Sequence, residues 1–124
     1  MKDEVDRGAK EGDLRRRTKT FALRAIGLFV ALPKTEEARI LGRQMLRSAT
    51  SVGAHYREAK RAKSDADFVS KVEGALQERE ETAYWLELLS EGKIVPAQRL
   101  DSLLQESEEL TAILVTIVKK TKAR

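Results

Sequence analysis

The chain has 124 residues, of which 41% are hydrophobic and 35% are charged, and it contains two prolines and no cysteine. A chain of this length forms one domain, and the lack of cysteine excludes disulfides and thiolate metal sites. No run approaches the roughly 18 apolar residues of a membrane-spanning helix, and the N-terminus shows no apolar signal-peptide segment. We therefore expect one cytoplasmic domain, with no membrane partner, built from long helices with charged outer faces.

The formal net charge of +4 hides an uneven distribution along the chain. Residues 1–13 carry 3 basic and 5 acidic side chains, whereas residues 14–63 carry 13 and 3. Residues 64–118 reverse this, with 4 basic and 12 acidic side chains. Residues 119–124 add 4 basic side chains, and we interpret 122–124 as a basic tail. Such asymmetry is typical of chains that associate with one another or bind polyanions.

The apolar pattern predicts a first helix over residues 13–31. Residues 1–12 precede it, and we expect them to form a flexible segment because they are charged, contain two glycines and show no apolar period. Leu32 and Pro33 end the helix. The second half of this helix is apolar on nearly every side, which indicates that it is covered on two faces.

Capping residues divide the rest of the chain into three further helices. Thr35 is a suitable N-cap for the second helix, and Ser64 is one for the third. Gly92 fits the end of the third helix, and Pro96 fits the first turn of the fourth. Short connections between long helices imply antiparallel neighbours. The sequence therefore predicts an all-α fold, an antiparallel up-and-down four-helix bundle over residues 13–121.

The second helix carries polar side chains where a bundle would bury apolar ones. They fall on one line at helical spacing. A buried polar group costs several kcal/mol unless it is paired, so such a line penalises every packing that leaves it unpaired. We interpret this line, with Glu81, Thr82 and Tyr84 of the third helix as its partners, as a structural polar network. Its members are Ser48, Ser51, His55 and Glu58, together with Glu81 on the third helix.

The same segment is the only candidate for chemistry. Di-metal sites in bundles use two Glu-x-x-His motifs and further carboxylates, whereas this chain has one histidine, His55, followed by Glu58. Ser48 or Ser51 beside His55 lacks the strained turn and oxyanion donors of a hydrolase. We therefore expect no enzymatic activity, no metal and no cofactor. A metal-dependent enzyme is the weaker alternative.

The outer face of the second helix is the candidate binding surface. Arginine forks suit phosphate oxygens, and the small side chains of Thr50 and Ala54 would let a nucleic-acid backbone come close. Two alternatives stay open, namely a salt-bridged contact with a neighbouring subunit and a solvated face without a partner. Following one another in steps of three and four, the candidate residues are Arg39, Arg43, Arg47, Arg57 and Arg61.

Three blocks of sequence carry a resemblance to a known family. Residues 46–59 contain Ser-Ala-Thr-Ser-Val-Gly-Ala-His-Tyr, residues 64–68 are Ser-Asp-Ala-Asp-Phe, and residues 81–89 are Glu-Thr-Ala-Tyr-Trp-Leu-Glu-Leu-Leu. In order and spacing they resemble the 23S ribosomal RNA intervening-sequence proteins and, more distantly, the accessory variability proteins of diversity-generating retroelements. One position differs, because this chain has His55 where the family usually has asparagine.

The resemblance implies a four-helix bundle that assembles into a homopentameric ring without an established enzymatic activity. Its retroelement relatives imply binding to nucleic acid and to a reverse transcriptase. In a cyclic oligomer each contact joins two different surfaces, so the basic first half of one copy can meet the acidic second half of the next. We therefore expect an oligomeric scaffold that contacts structured RNA or DNA, with an adaptor that binds only proteins as the alternative.

Overall fold

The computed structural model describes the backbone of residues 2–124 and the side chains of residues 13–124. In that part of the chain it contains four α-helices, one short 3₁₀ turn and no strand. The all-α prediction is confirmed, and the architecture is consistent with a four-helix bundle. The elements are α1 (Lys2–Ala31), α2 (Glu36–Ala59), α3 (Asp65–Glu91), the 3₁₀ turn (Ala97–Arg99) and α4 (Asp101–Lys122).

Helix α1 begins nearer the N-terminus than the sequence predicts. Its backbone is helical from Lys2, whereas the predicted helix starts at residue 13. Gly8 and Gly12 each cost a helix about 1 kcal/mol relative to alanine, but no proline interrupts the segment, and its lysine, arginine and glutamate residues favour a helix. The predicted flexibility of residues 1–12 concerns side chains that lie outside the described residues.

The predicted caps of α2 and α3 are confirmed. The backbone N–H of Ala38 donates to Thr35 Oγ1 at 3.3 Å, and that of Asp67 donates to Ser64 Oγ at 3.0 Å. Each hydroxyl thereby satisfies one of the N–H groups that have no partner inside the helix. Gly92 is the C-cap of α3. Sequence reasoning therefore places the starts of α2 and α3 and the end of α3 correctly.

The start of α4 differs from the prediction, because Pro96 lies before the 3₁₀ turn rather than inside α4. The N–H of Leu100 donates to the carbonyl of Ala97 at 2.9 Å, the i to i+3 pattern of a 3₁₀ helix. Val95 and Leu100 are both buried on either side of this turn. This tight turn brings the chain back to the core within a few residues. Because the turn occupies residues 97–99, α4 begins at Asp101 rather than near Pro96.

All four helices contribute to one core. The core is formed by side chains on one stripe of each helix. They include Phe21 of α1, Tyr56 of α2, Leu86 of α3 and Leu110 of α4, each of which is fully buried. Burying a side chain of this size contributes roughly 1.5–3 kcal/mol. The core therefore fixes which face of each helix points outward.

An ion-pair cluster joins α1 to α4 at the edge of this core. Arg17 donates to Glu106 through Nε at 3.1 Å and through Nη2 at 2.6 Å, and Nη2 also lies 3.2 Å from Glu109. The hydrogen bonds to Glu106 raise the pKa of the Arg17 guanidinium above its usual value, because they favour the charged form. Two parallel bonds of this kind fix geometry as well as charge.

Replacing Arg17 with methionine should lower the free energy of unfolding by about 2 kcal/mol, the typical worth of hydrogen bonds to a charged group. The raised pKa keeps Arg17 charged throughout the ordinary pH range, so this contribution is complete there and is lost only as pH rises through the folded-state pKa. Urea unfolding at pH 7 measures the loss. Arg16→Met is the control, because Arg16 is exposed and has no ion pair among residues 13–124. Equal losses in both variants would contradict the assignment.

Candidate nucleic-acid interface

The predicted arginine surface lies on the outer side of α2. Arg39, Arg43, Arg47 and Arg57 are exposed side chains of that helix, and Arg61 is exposed in the turn that follows it. Their position follows from the burial of the opposite stripe of α2 against the other helices. We call these five residues the arginine face.

One member of the arginine face has partners within the chain. Arg47 Nη1 lies 3.4 Å from a carboxylate oxygen of Glu78, and Nη2 lies 3.6 Å from one of Glu81. Its guanidinium therefore bridges α2 to α3. The remaining members have no hydrogen bond or ion pair with any described side chain. Those four are Arg39, Arg43, Arg57 and Arg61.

Small side chains separate the two pairs of free arginines. Thr50 donates its hydroxyl to the carbonyl of Leu46 at 2.9 Å, so that group is already used within the helix. Ala54 is exposed and offers only a methyl group. Only small side chains cover the outer side of α2 between Arg47 and Arg57, so a phosphodiester backbone could approach the helix closely there.

On the inner side of α2, Ser48 and Thr82 form a buried hydroxyl pair. Both side chains are fully buried, and their oxygens lie 2.8 Å apart. Ser48 also donates to the carbonyl of Met45 at 3.1 Å, and Thr82 Oγ1 lies 2.8 Å from the carbonyl of Glu78. The pair thus joins α2 to α3 and leaves neither hydroxyl without a partner.

The five residues of the predicted network do not form one connected set. Ser51 donates to the carbonyl of Arg47 at 2.7 Å, a bond within its own helix that hydroxyl side chains commonly make. Glu58 has 59% of its side chain exposed, and Glu81 contacts Arg47. The structure brings Ser48 together with Thr82 and leaves the carboxylates of Glu58 and Glu81 at the rim of the core.

His55 packs against a glycine of α3. A methyl group placed on Gly74 would lie 3.2 Å from His55 Nδ1 and 3.4 Å from Cε1. The same Nδ1 lies 4.0 Å from a carboxylate oxygen of Glu58. Among residues 13–124 no group of three His, Asp or Glu side chains could hold a metal ion. The imidazole therefore occupies space that Gly74 leaves open.

Sequence reasoning missed a second polar contact in the interior, between α3 and α4. Arg79 Nη1 donates to Ser107 Oγ at 3.3 Å, and Ser107 is fully buried. Ser107 replaces an apolar residue at an inward position between Leu103 and Leu110, which is the one signal that the sequence offers. A lone arginine on α3 gives no comparable signal.

These features define a class: an all-α protein of four helices, with an arginine face outside α2 and a hydroxyl pair inside it. The family model for the 23S rRNA-intervening sequence protein matches residues 10–116, so the chain belongs to that family. The resemblance seen in the sequence is confirmed to this extent.

One solved structure from the same family group is closely similar. It is the 1.70 Å crystal structure of a protein of unknown function from the S23 ribosomal protein family of Bacteroides thetaiotaomicron VPI-5482. The two chains are 36% identical, the alignment covers 89% of this chain and 98% of the other, and the TM-score is 0.84. A search of curated proteins finds no match.

The contact between His55 and Gly74 predicts a dependence of one residue on the other. Replacing Gly74 with alanine in the natural chain should change the free energy of unfolding little, because a gain in helix propensity of about 1 kcal/mol offsets crowding against the imidazole. With His55→Asn already present, the shorter side chain removes the crowding, and Gly74→Ala should stabilise by about 1 kcal/mol. A double-mutant cycle by urea unfolding measures this coupling, and additive effects would refute it.

Proposed function

We propose that this protein is a non-enzymatic, cytoplasmic scaffold that assembles as a homopentameric ring and contacts structured RNA or DNA through its arginine face. The observation that carries this proposal is the row of four exposed guanidinium groups on one side of α2 without partners among residues 13–124. Uncompensated arginines in a row provide the positive charge to which a phosphate backbone binds. The resemblance of the three sequence blocks to accessory variability proteins would imply the same ligand.

The contacts between helices support an antiparallel, up-and-down arrangement. Between α2 and α3, Ser48 contacts Thr82, whereas His55, further along α2, contacts Gly74, earlier in α3. Between α1 and α4 the same reversal holds, because Arg17 pairs with Glu106 and Arg24 donates to Ser102 at 2.7 Å. Helices that follow one another in the chain are in contact, and α1 also contacts α4. Helices α1 and α3 therefore lie at opposite corners.

An apolar patch on α1 supports self-association. Leu23, Ile26 and Val30 are 56%, 42% and 66% exposed. Beside them lies Gly27, where an added methyl group would meet nothing within 4 Å in the single chain. Glycine costs an exposed helix about 1 kcal/mol relative to alanine, so its presence suits a site where a second helix comes close. The second covered face that the sequence predicts for this helix would be this patch.

The outer side of α3 is an exposed surface of different character. Tyr84 is 53% exposed, and the glutamates around it, Glu73, Glu80 and Glu87, are exposed and have no ion pair in the described part of the chain. A contact of the α1 patch with α3 of the next copy joins two different surfaces, as a ring requires. Because α1 and α3 lie at opposite corners, such a ring leaves the arginine face of α2 uncovered.

Removing two arginines should weaken binding to nucleic acid in a salt-dependent way. Each phosphate contact contributes about 0.9 to the slope of log affinity against log salt for duplex DNA, so Arg39→Gln/Arg43→Gln should reduce the slope by about 2. Filter binding of the full chain to a structured RNA and to duplex DNA at several salt concentrations measures it. The control is Lys93→Gln/Arg99→Gln, which removes the same charge from the exposed α3–α4 turn.

Three outcomes separate the functional alternatives. A reduced slope in the arginine variant alone supports the proposal. No detectable binding of the natural chain at low salt would refute nucleic acid as the ligand and favour an adaptor that binds only proteins. Equal effects in both variants would show a response to net charge rather than to the arginine face.

Charge introduced into the apolar patch should break the ring. Ile26→Glu/Val30→Glu places two carboxylates where a neighbouring helix would pack, so the mass in light scattering should fall from that of a pentamer toward that of a single chain. Both positions are exposed in the single chain, so its helical circular dichroism should persist. The control, Ala112→Glu/Thr116→Glu, adds the same charge to exposed positions of α4. An unchanged mass in the patch variant would contradict this contact.

A further inference from the structure

Two segments that are distant in sequence meet at one end of the bundle. The side chain of Arg124, after α4, contacts Asp65 at the start of α3, with 3.2 Å between Nη1 and Oδ1. A recess of about 410 Å³ between these helices includes Lys122 in its wall. A second recess of about 350 Å³ lies along the α2–α3 turn and also includes Asp65. The two recesses are therefore neighbours on one surface.

This surface carries an excess of positive charge that the chain order conceals. All of its cationic side chains are exposed. Among residues 13–124, the carboxylates nearest in sequence to these cations are Glu58, Asp65 and Asp67, of which Asp65 binds Arg124 and Asp67 lies 3.5 Å from Lys71. We call this surface the basic end, and its residues are Lys60, Arg61, Lys63, Lys119, Lys122 and Arg124.

The opposite end of the bundle has no such excess. There the α1–α2 and α3–α4 turns carry Lys34, Lys93 and Arg99, and the same end includes Glu36 and Glu37 at the start of α2, Glu91 at the end of α3 and Asp101 at the start of α4. Acidic residues in the first turn of α2 and α4 also complement the helix dipole. Among the side chains of residues 13–124, the net positive charge is therefore concentrated at one end of the bundle.

We propose that the basic end binds the phosphate backbone of nucleic acid, an inference that rests on the proposed function and gives it a second, separate surface. Arg61 belongs both to this end and to the arginine face. A nucleic-acid backbone that follows the arginine face along α2 would therefore reach the two recesses while it stays in contact with cationic side chains. Lys119 and Lys122 are three residues apart and share one side of α4. The α2–α3 turn and α4 can thus contact successive phosphates.

The composition of the basic end favours nucleic acid over a lipid surface. Segments that bind membranes place large apolar side chains beside their lysines. The exposed large hydrophobic residues of the described chain lie on α1, at the start of α2 and in the middle of α3, away from this end. The apolar residues that line the recesses, such as Phe68 and Val69, are half-buried or buried. The exposed cations supply charge and hydrogen-bond donors, which is the chemistry of phosphate contact.

Charge removal at the basic end tests the inference without touching the arginine face. The variant Lys63→Gln/Lys119→Gln/Lys122→Gln should bind a fluorescent 20-base-pair RNA duplex and the matching DNA duplex about tenfold more weakly at low salt and should reduce the salt slope by about 2.7. The matched control is Lys34→Gln/Lys93→Gln/Arg99→Gln at the opposite end. Circular dichroism and light scattering check that both variants keep the fold and mass of the natural chain.

The outcomes distinguish this inference from the function on which it rests. If the natural chain binds neither duplex, the proposed function fails. If the natural chain binds and the basic-end variant binds equally well, the basic end is not a phosphate site, while the arginine face still can be. If the control weakens binding as much as the variant does, net charge rather than this surface governs binding, which also overturns the inference. Should the variant lose its fold, the separate substitutions Lys63→Gln and Lys119→Gln, each expected to reduce the slope by about 0.7–0.9, repeat the test.

Discussion

The burial of one stripe of α2 determines how the rest of this molecule is arranged. Met45, Val52 and Tyr56 are fully buried, and together they fix the rotation of the helix about its own axis. Once that rotation is fixed, the side chains one step to one side must face α3, and those on the far side must face outward. Ser48 therefore meets Thr82, and Arg43 points away from the protein. The hydroxyl pair and the arginine face are two consequences of the same packing.

The residues that can be assigned from the sequence are those whose environment depends on their own helix. A period of 3.6 residues places the arginine face outside and Ser48 inside, and local hydrogen bonds make Thr35 and Ser64 caps, so these features need no knowledge of neighbours. Features that depend on the distances between helices cannot be assigned from the sequence in this way. That His55 packs over Gly74, or that Arg47 reaches two glutamates of α3, follows from the separation and offset of α2 and α3, which a periodic pattern does not contain.

Charge shows the same division. Counted along the chain, the molecule has a basic first half and an acidic second half, and this suggests two opposed surfaces. Folding redistributes those charges in three dimensions, because the α2–α3 turn and the last turn of α4 come together while the acidic starts of α2 and α4 lie at the other end. The acidic half also uses some of its carboxylates internally, Glu78 and Glu81 on Arg47 and Glu106 on Arg17. What remains is a difference between the two ends of the bundle as well as between its sides.

The proposed ring would multiply this axial difference. Rotation about a single axis carries every copy into the next without inverting it, so in a ring whose axis runs along the bundles all the basic ends would lie on the same face. An assembly with additional twofold axes would distribute them over both faces instead. Five weak phosphate-binding surfaces on one face act at a high effective concentration toward a single long polyanion, and total affinity can exceed that of one copy by 10²–10⁴ in order of magnitude. In the proposed ring, a shallow surface of lysines and arginines that binds nucleic acid weakly as a single copy would bind it more tightly as part of the assembly.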